Sequence, residues 1–313
     1  MIKIFLIILL TISSVVAEYE VWGYLMKGEE SFYPLKSSIT DIAHFDSKVK
    51  KDGSLSSGLN KPPILDNIPS STRHHLVITA PYNADLFHHY LNEDLPFRSN
   101  IIHNIVKKSK FFDGIQIDFE GIGSDDGSAF LNFLITLKNN LPKDKILSVA
   151  VMARWESHKK KFPLDAYDYK IIGKIADRVI IMAYDEHWRT GKAGPIASYA
   201  WCNEIFDHTL NTIPSKKIIM GIPLYGRAWQ EDIKPKVSKQ IEIDKELNNR
   251  NLTSIKDPKN GGSFIYSQLS KVQVFHETLE SIKNKQDLYL SKSIQGLAYW
   301  RIGQEPIGFW ESN

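Results

Sequence analysis

The sequence predicts a (β/α)8 barrel. Three observations carry that expectation: eight short runs rich in Val, Ile and aromatic residues, stretches of helical apolar spacing between them, and no phosphate-binding glycine signature after the first run. The runs are YEVWGYL (19–25), ITDIAHF (39–45), HHLVITA (74–80), DGIQIDFE (113–120), ILSVAVMA (146–153), DRVIIMAY (177–184), KKIIMGIPL (216–224) and IQGLAYW (294–300). Helices are expected at 98–110, at 128–140, where Leu131, Phe133, Leu134 and Leu137 share one face, and at 275–289. A doubly wound open sheet is the alternative, but Gly121, Gly123 and Gly127 follow the fourth run and lack the G-x-G-x-x-G spacing. The stretch 230–271 is too long for an ordinary connection, and its KNGGS turn (259–263) between short apolar runs predicts a small β-rich insertion after strand seven.

The chain has 313 residues, and 42% hydrophobic content suffices for a sizeable core. Residues 1–17 combine Lys3, an apolar run over 4–10 and small residues before Glu18, the pattern of a signal peptide cleaved near Ala17. That run falls well short of the ~20 residues of a permanent span, so no stable membrane span is expected. A secreted, periplasmic or cell-envelope location follows, with an uncleaved anchor as the lesser alternative. No fixed-period repeat or linker divides residues 18–313, which are expected to form a single catalytic domain. The lone Cys202 cannot form an internal disulfide. With a net charge of only +3, Lys48, Lys50, Lys51 and the run 158–161 read as solvated faces, and no nucleic-acid partner is expected.

The run FFDGIQIDFEGIG (111–123) is the informative one. Strand side chains alternate, so Ile115, Ile117 and Phe119 face the helices while Gln116, Asp118 and Glu120 face the barrel interior near the carboxyl end of the strand, where barrel active sites lie. Unpaired carboxylates there are costly. A lone Asp would read as a helix cap or ion-pair partner, but two carboxylates and an amide in register point to chemistry. Such a pair either holds a hard cation such as Mg²⁺, with Asp185 as a further ligand, or divides the work of acid catalysis. Tyr184, Trp188 and Trp300 are expected at the same level, and aromatic surfaces suit sugar rings better than a hydrated cation. Carbohydrate chemistry is therefore favoured over a metal site.

The stretch 113–120 resembles the DGxDxDxE strand of glycoside hydrolase family 18, the chitinase-like family. Gly23-Tyr24 is similar to that family's first-strand Gly-Tyr, Met182-Ala-Tyr-Asp185 to its MxYD, Gly221-Ile-Pro-Leu-Tyr-Gly-Arg227 to its GxPxYGR, and Trp300 to its strand-eight Trp. The ending GLAYWRIGQE (296–305) and the compact insertion most resemble the branch of spore-germination and cell-wall hydrolases, with chitobiases as relatives. The resemblance implies a retaining hydrolase of β-1,4-linked N-acetylglucosamine glycans, peptidoglycan or chitin-type, working without a cofactor or metal. It implies Glu120 as general acid and base, with the substrate's acetamido oxygen as nucleophile. Asp118 would orient the acetamido N–H and raise the Glu120 pKa, and the Tyr184 hydroxyl would steady the acetamido oxygen. Asp185 would contact the distorted sugar and Trp300 would form its apolar floor. Tyr24, Met182, Tyr225 and Arg227 would line the pocket, with Asp113 in support. Blander readings stand beside these: Tyr24 as a packed barrel residue, Met182 as core filler, Arg227 as partner of an acid such as Glu231.

Two positions depart from the family pattern. Gln116 stands where an Asp is common, and it is expected to donate an N–H to Asp118 and keep it ionised. ITAPYN (78–83) replaces Ser-x-Gly-Gly. A non-catalytic carbohydrate-binding protein of the same family is the competing reading, although such lectins typically lose the acid that Glu120 retains.

Overall fold

The computed structural model describes residues 19–56, 58–64, 68–156, 166–230, 233–267 and 270–311. The N-terminal leader expected at 1–17, the basic run 158–161 and Glu231 lie outside the described residues. Strands β1 (Glu20–Met26), β2 (Asp41–Lys48), β3 (Arg73–Thr79), β4 (Gly114–Asp118), β5 (Ile146–Met152), β6 (Arg178–Met182) and β7 (Ile218–Pro223) pair in parallel, each beside its sequence neighbour. An antiparallel set follows, made of β8 (Gly226–Gln230), β9 (Ile233–Ser238), β10 (Ile255–Asp257), β11 (Gly261–Ser267) and β12 (Lys271–His276). The last strand, β13 (Gly296–Trp300), then lies between β7 and β1 and closes the barrel. Helices α1 (Ala84–Leu91), α2 (Pro96–Ser109), α3 (Gly127–Asn140), α4 (Tyr169–Ile175), α5 (Tyr199–Leu210), α6 (Gln240–Asn249) and α7 (Leu279–Leu290), together with short 3-10 turns at Glu30–Phe32, Ser124–Asp126 and Ser215–Lys217, complete the described elements. Among the described residues, no helix is long and apolar enough to cross a membrane.

All eight expected runs are barrel strands, and their ends differ from expectation by a few residues. The insertion is wider than 230–271: its sheet, in the order β10-β11-β12-β8-β9, runs from Gly226 to His276 and carries α6. Phe275 and His276, expected to open a helix, instead pair with Arg227 and Gly226 across the β12–β8 ladder. The helix begins at Leu279, where Thr278 Oγ1 accepts from the Ser281 N–H at 3.1 Å and Ser281 Oγ accepts from the Thr278 N–H at 2.9 Å.

The apolar residues divide as strand alternation requires. Ile115, Ile117 and Phe119 belong to the outer core with helix residues such as Phe130 and Phe133. Trp22, Val77, Ile180, Ile219 and Ala298 fill the barrel interior. At the amino-terminal end of the strands the interior turns polar. Arg73 donates to Asp41 at 2.8 Å and pairs with Glu20 at 2.7 Å, Arg178 donates to Glu20 at 2.7 Å, and His75 Nε2 lies 2.7 Å from Asp41 Oδ1. Burial opposes ionisation of Asp41, but the hydrogen bonds from His75 and Arg73 outweigh it and hold the carboxyl at about 2. His44, buried with Nε2 2.9 Å from His74 Nδ1, is pushed down to about 3 by burial and by its histidine neighbours.

Acid is therefore expected to weaken the fold in two stages. Below its ordinary 6.5, His44 takes up a proton in the unfolded chain but not in the native one, so stability falls as pH drops from 6.5 towards about 3. The Asp41 contribution is lost further down, between 3.8 and about 2. Denaturant melts across this range should show the decline, and His44→Gln should flatten its upper part.

Candidate active site

All five residues of β4 are buried, and the strand sends Gln116 and Asp118 inward. Asp118 Oδ1 is buried and has no hydrogen-bond partner. Burial and the neighbouring Glu120 charge push the Asp118 carboxyl up to about 8. Glu120, half-buried just past the end of β4, is also raised, by burial and by the Asp185 charge. Two carboxyls within electrostatic reach of each other thus both resist ionisation.

Gln116 corrects one expectation. Its Nε2 donates to the Tyr24 hydroxyl at 2.6 Å rather than to Asp118, because Tyr24 from β1 reaches across the barrel interior to meet it; Gln116 Oε1 is left buried without a partner. Asp118 is accordingly not held ionised: among the described residues none donates to its buried Oδ1, and its pKa moves up instead.

The remaining residues assemble from five other strand ends. Tyr24 is buried, with its ring 5.1 Å from Trp300, and Trp300 at the end of β13 also meets Phe45 at 5.1 Å, both edge-on. Met182, half-buried at the end of β6, packs with the same interior cluster, so Tyr24 and Met182 are packing residues of the barrel interior. Tyr184, two residues on, packs in the cluster that holds Tyr225 and Trp300. Burial first, then the neighbouring Tyr24, Asp118, Tyr225 and Glu120, push its hydroxyl well above the usual tyrosine range, which keeps it a neutral donor. The ring can lie there because position 221 is glycine: a Cβ would stand 2.6 Å from the Ile181 carbonyl oxygen and 2.9 Å from Tyr184 Cε1.

Asp185, at φ +63°, accepts from both the Tyr225 hydroxyl and Arg227 Nη2. Arg227 opens the insertion sheet, so the insertion contributes a side chain to the barrel mouth, and its partner is Asp185. Trp188 stands apart from the aromatic group, 61% exposed in the loop after β6. Asp113 sits at the other end of β4 from Asp118, where its Oδ2 accepts the His74 N–H at 2.7 Å and ties β4 to β3. Among the described residues, no group of three or more His, Cys, Asp or Glu side chains is placed to hold a metal ion.

Two aromatic residues at the site were not foreseen. Tyr82, in the ITAPYN segment, is 78% exposed and lays its ring against Gly121, next to Glu120. Tyr167 donates its hydroxyl to the Phe119 carbonyl at 2.5 Å. The departure of ITAPYN from the family pattern marks the first, whereas no local motif surrounds the second.

A closed parallel barrel with coupled carboxyls and aromatic rings at the carboxyl ends of its strands has the layout of a glycosidase barrel. The pattern described as glycosyl hydrolases family 18 matches residues 87–305, and the chain belongs to that family. The chain is 32% identical over 216 residues to the glycosylase YvbX of Bacillus subtilis, covering 66% of this chain and 62% of that protein. It is 29% identical over 281 residues to the cortical fragment-lytic enzyme of Bacillus anthracis, covering 85% and 65%. The chain thus spans less than two thirds of these relatives' length. Among solved structures, the spore cortex-lytic enzyme SleL of Bacillus cereus superposes with a TM-score of 0.80 at 27% identity, covering 94% of this chain and 73% of that one. A chitinase from Chromobacterium violaceum shares the fold, with a TM-score of 0.82 at 23% identity and coverage of 94% and 98%.

Gly221→Ala tests the packing of Tyr184. The new methyl group displaces either the ring or the β6 backbone, so a loss of about 1–3 kcal/mol in denaturant melts is expected, with altered near-ultraviolet dichroism from the shifted aromatic cluster.

Proposed function

We propose that this protein is an exported retaining glycosidase that cleaves β-1,4-linked N-acetylglucosamine glycans, of peptidoglycan or chitin type, by substrate-assisted catalysis, and that residues 18–313 form its catalytic unit. The observation that carries the reading is the Asp118–Glu120 pair: a buried carboxyl with an unpartnered oxygen beside a second raised carboxyl. Lysis of cortical fragments and chitinase activity, named for the relatives, fit one chemistry on this class of polymer.

Glu120 in its acid form donates its proton to the glycosidic oxygen as the bond to the anomeric carbon breaks. The acetamido oxygen of the same sugar attacks that carbon from the opposite face and forms a cyclic oxazolinium ion. With the proton on Glu120, Asp118 acts as the carboxylate of the two: it takes a hydrogen bond from the acetamido N–H and balances the positive charge, which gives its free oxygen a partner. Tyr184 donates to the acetamido oxygen, and Trp300 lies beneath the sugar ring. Glu120, now a carboxylate, removes a proton from water as it opens the ion, and the configuration is retained. Asp185, held by Tyr225 and Arg227, faces Glu120 electrostatically and raises its pKa.

Release of a chromophore from a chitobiose or chitotriose aryl glycoside tests the reading. Glu120→Gln should lower turnover by roughly 10²- to 10⁴-fold. EDTA should leave it unchanged, and the matched glucose glycoside, lacking the acetamido group, should be inert. Cleavage of the glucose substrate, or full activity in Glu120→Gln, would overturn the mechanism. Since Glu120 must hold a proton to act, and burial and the Asp185 charge raise its carboxyl, activity is expected to persist above the ordinary glutamate range and to fall as pH rises further. Sequencing the exported protein should give an amino terminus near Glu18.

A further inference from the structure

We infer that the Tyr167 hydroxyl is a positioning group for Glu120, holding the backbone carbonyl just before it; the inference rests on the hydrolase reading above. The last residue of β4 in register with a neighbouring strand is Asp118, opposite Thr79. The segment 119–122, which carries Glu120, therefore lies beyond the ladder. It leaves the strand through Gly121 at φ +82°, a conformation that a residue with a side chain rarely adopts. Buried backbone groups there need partners from elsewhere.

Tyr167 supplies one. Its hydroxyl donates to the Phe119 carbonyl at 2.5 Å, so it holds the peptide immediately before Glu120. Burial and then the Glu120 charge push this hydroxyl above the usual tyrosine range, so it remains a donor at every working pH. The ring is fixed in turn. It is buried and meets Phe130 of α3 edge-on at 5.7 Å, and the next residue, Asp168, caps α4 by accepting the Ile171 N–H at 2.9 Å. The Tyr82 ring lies against Gly121 as well, within about 3 Å of where a Cβ would stand. The proton donor is thus referenced to the helix layer through Tyr167, where the sheet no longer reaches it.

Tyr167→Phe removes the oxygen and keeps the ring. Displacement of a reacting group by about 1 Å costs on the order of 100-fold in rate, so kcat should fall roughly 10- to 100-fold with KM nearly unchanged. The basic limb of the pH–rate profile should move as the Glu120 surroundings change. Added to Glu120→Gln, the same substitution should cost almost nothing further, because the group it positions is gone. Gly121→Ala, which strains the same segment and leaves Tyr167 in place, should reproduce the selective loss of kcat. A carbon-13 titration of the Glu120 carboxyl should shift in Tyr167→Phe whether or not the chosen glycoside is turned over, which separates this inference from the hydrolase reading. A lowered melting temperature with unchanged kcat, pH profile and Glu120 titration would overturn it, as would a full additional loss in the Glu120→Gln background. An inert wild type with a shifted titration would retire the glycosidase chemistry and leave the positioning role standing.

Discussion

An Asp carboxyl buried without a protein partner is the constraint around which this barrel is organised. Asp118 is 7% exposed, its inner oxygen accepts nothing, and Glu120 adds a second charge close by. In a medium of low dielectric the pair is costly when ionised, so both carboxyls resist ionisation. The hydroxyls around it are neutral for the same reason: burial raises Tyr24, Tyr184 and Tyr225 above their usual range. A protonated carboxyl suits donation to a leaving oxygen, and a neighbouring carboxyl, when ionised, offsets positive charge in the transition state.

The opposite end of the barrel solves the same problem in another way. There Glu20 and Asp41 are also buried, but each meets partners, the guanidiniums of Arg73 and Arg178 for Glu20, Arg73 and the His75 ring for Asp41. Their carboxyls move down where Asp118 moves up. An apolar layer containing Trp22, Val77, Ile180 and Ile219 separates the two ends. Charge is paired at the amino-terminal floor of the barrel and left unpaired at the carboxyl ends of its strands.

The insertion takes part in the site through Arg227. This buried guanidinium binds Asp185, which also accepts from Tyr225, and the Asp185 charge in turn raises Glu120. The sheet Gly226–His276 is therefore coupled to the acid through two side chains, while its own small core around Ile243, Phe264, Val272 and Val274 supports it separately.

Much of this was legible in the amino-acid order. Alternation along 113–120 placed Gln116 and Asp118 inside and Ile115, Ile117 and Phe119 outside, because strand geometry depends only on neighbours in the chain. The eight runs and the late insertion followed from the same local periodicities. What lies between elements distant in sequence did not. Whether Gln116 turns to Asp118 or to Tyr24 depends on which side chain crosses the barrel from a strand 92 positions away. The direction of the Asp118 shift depends on a partner that never arrives, and the Tyr167 hydroxyl reaches Phe119 across 48 positions with no motif to announce it. The sequence by itself determined the strand faces, the barrel and the identity of the paired carboxyls. Only the closed structure decided how their protons and backbones are held, since hydrogen bonds and dielectric are properties of the packed interior.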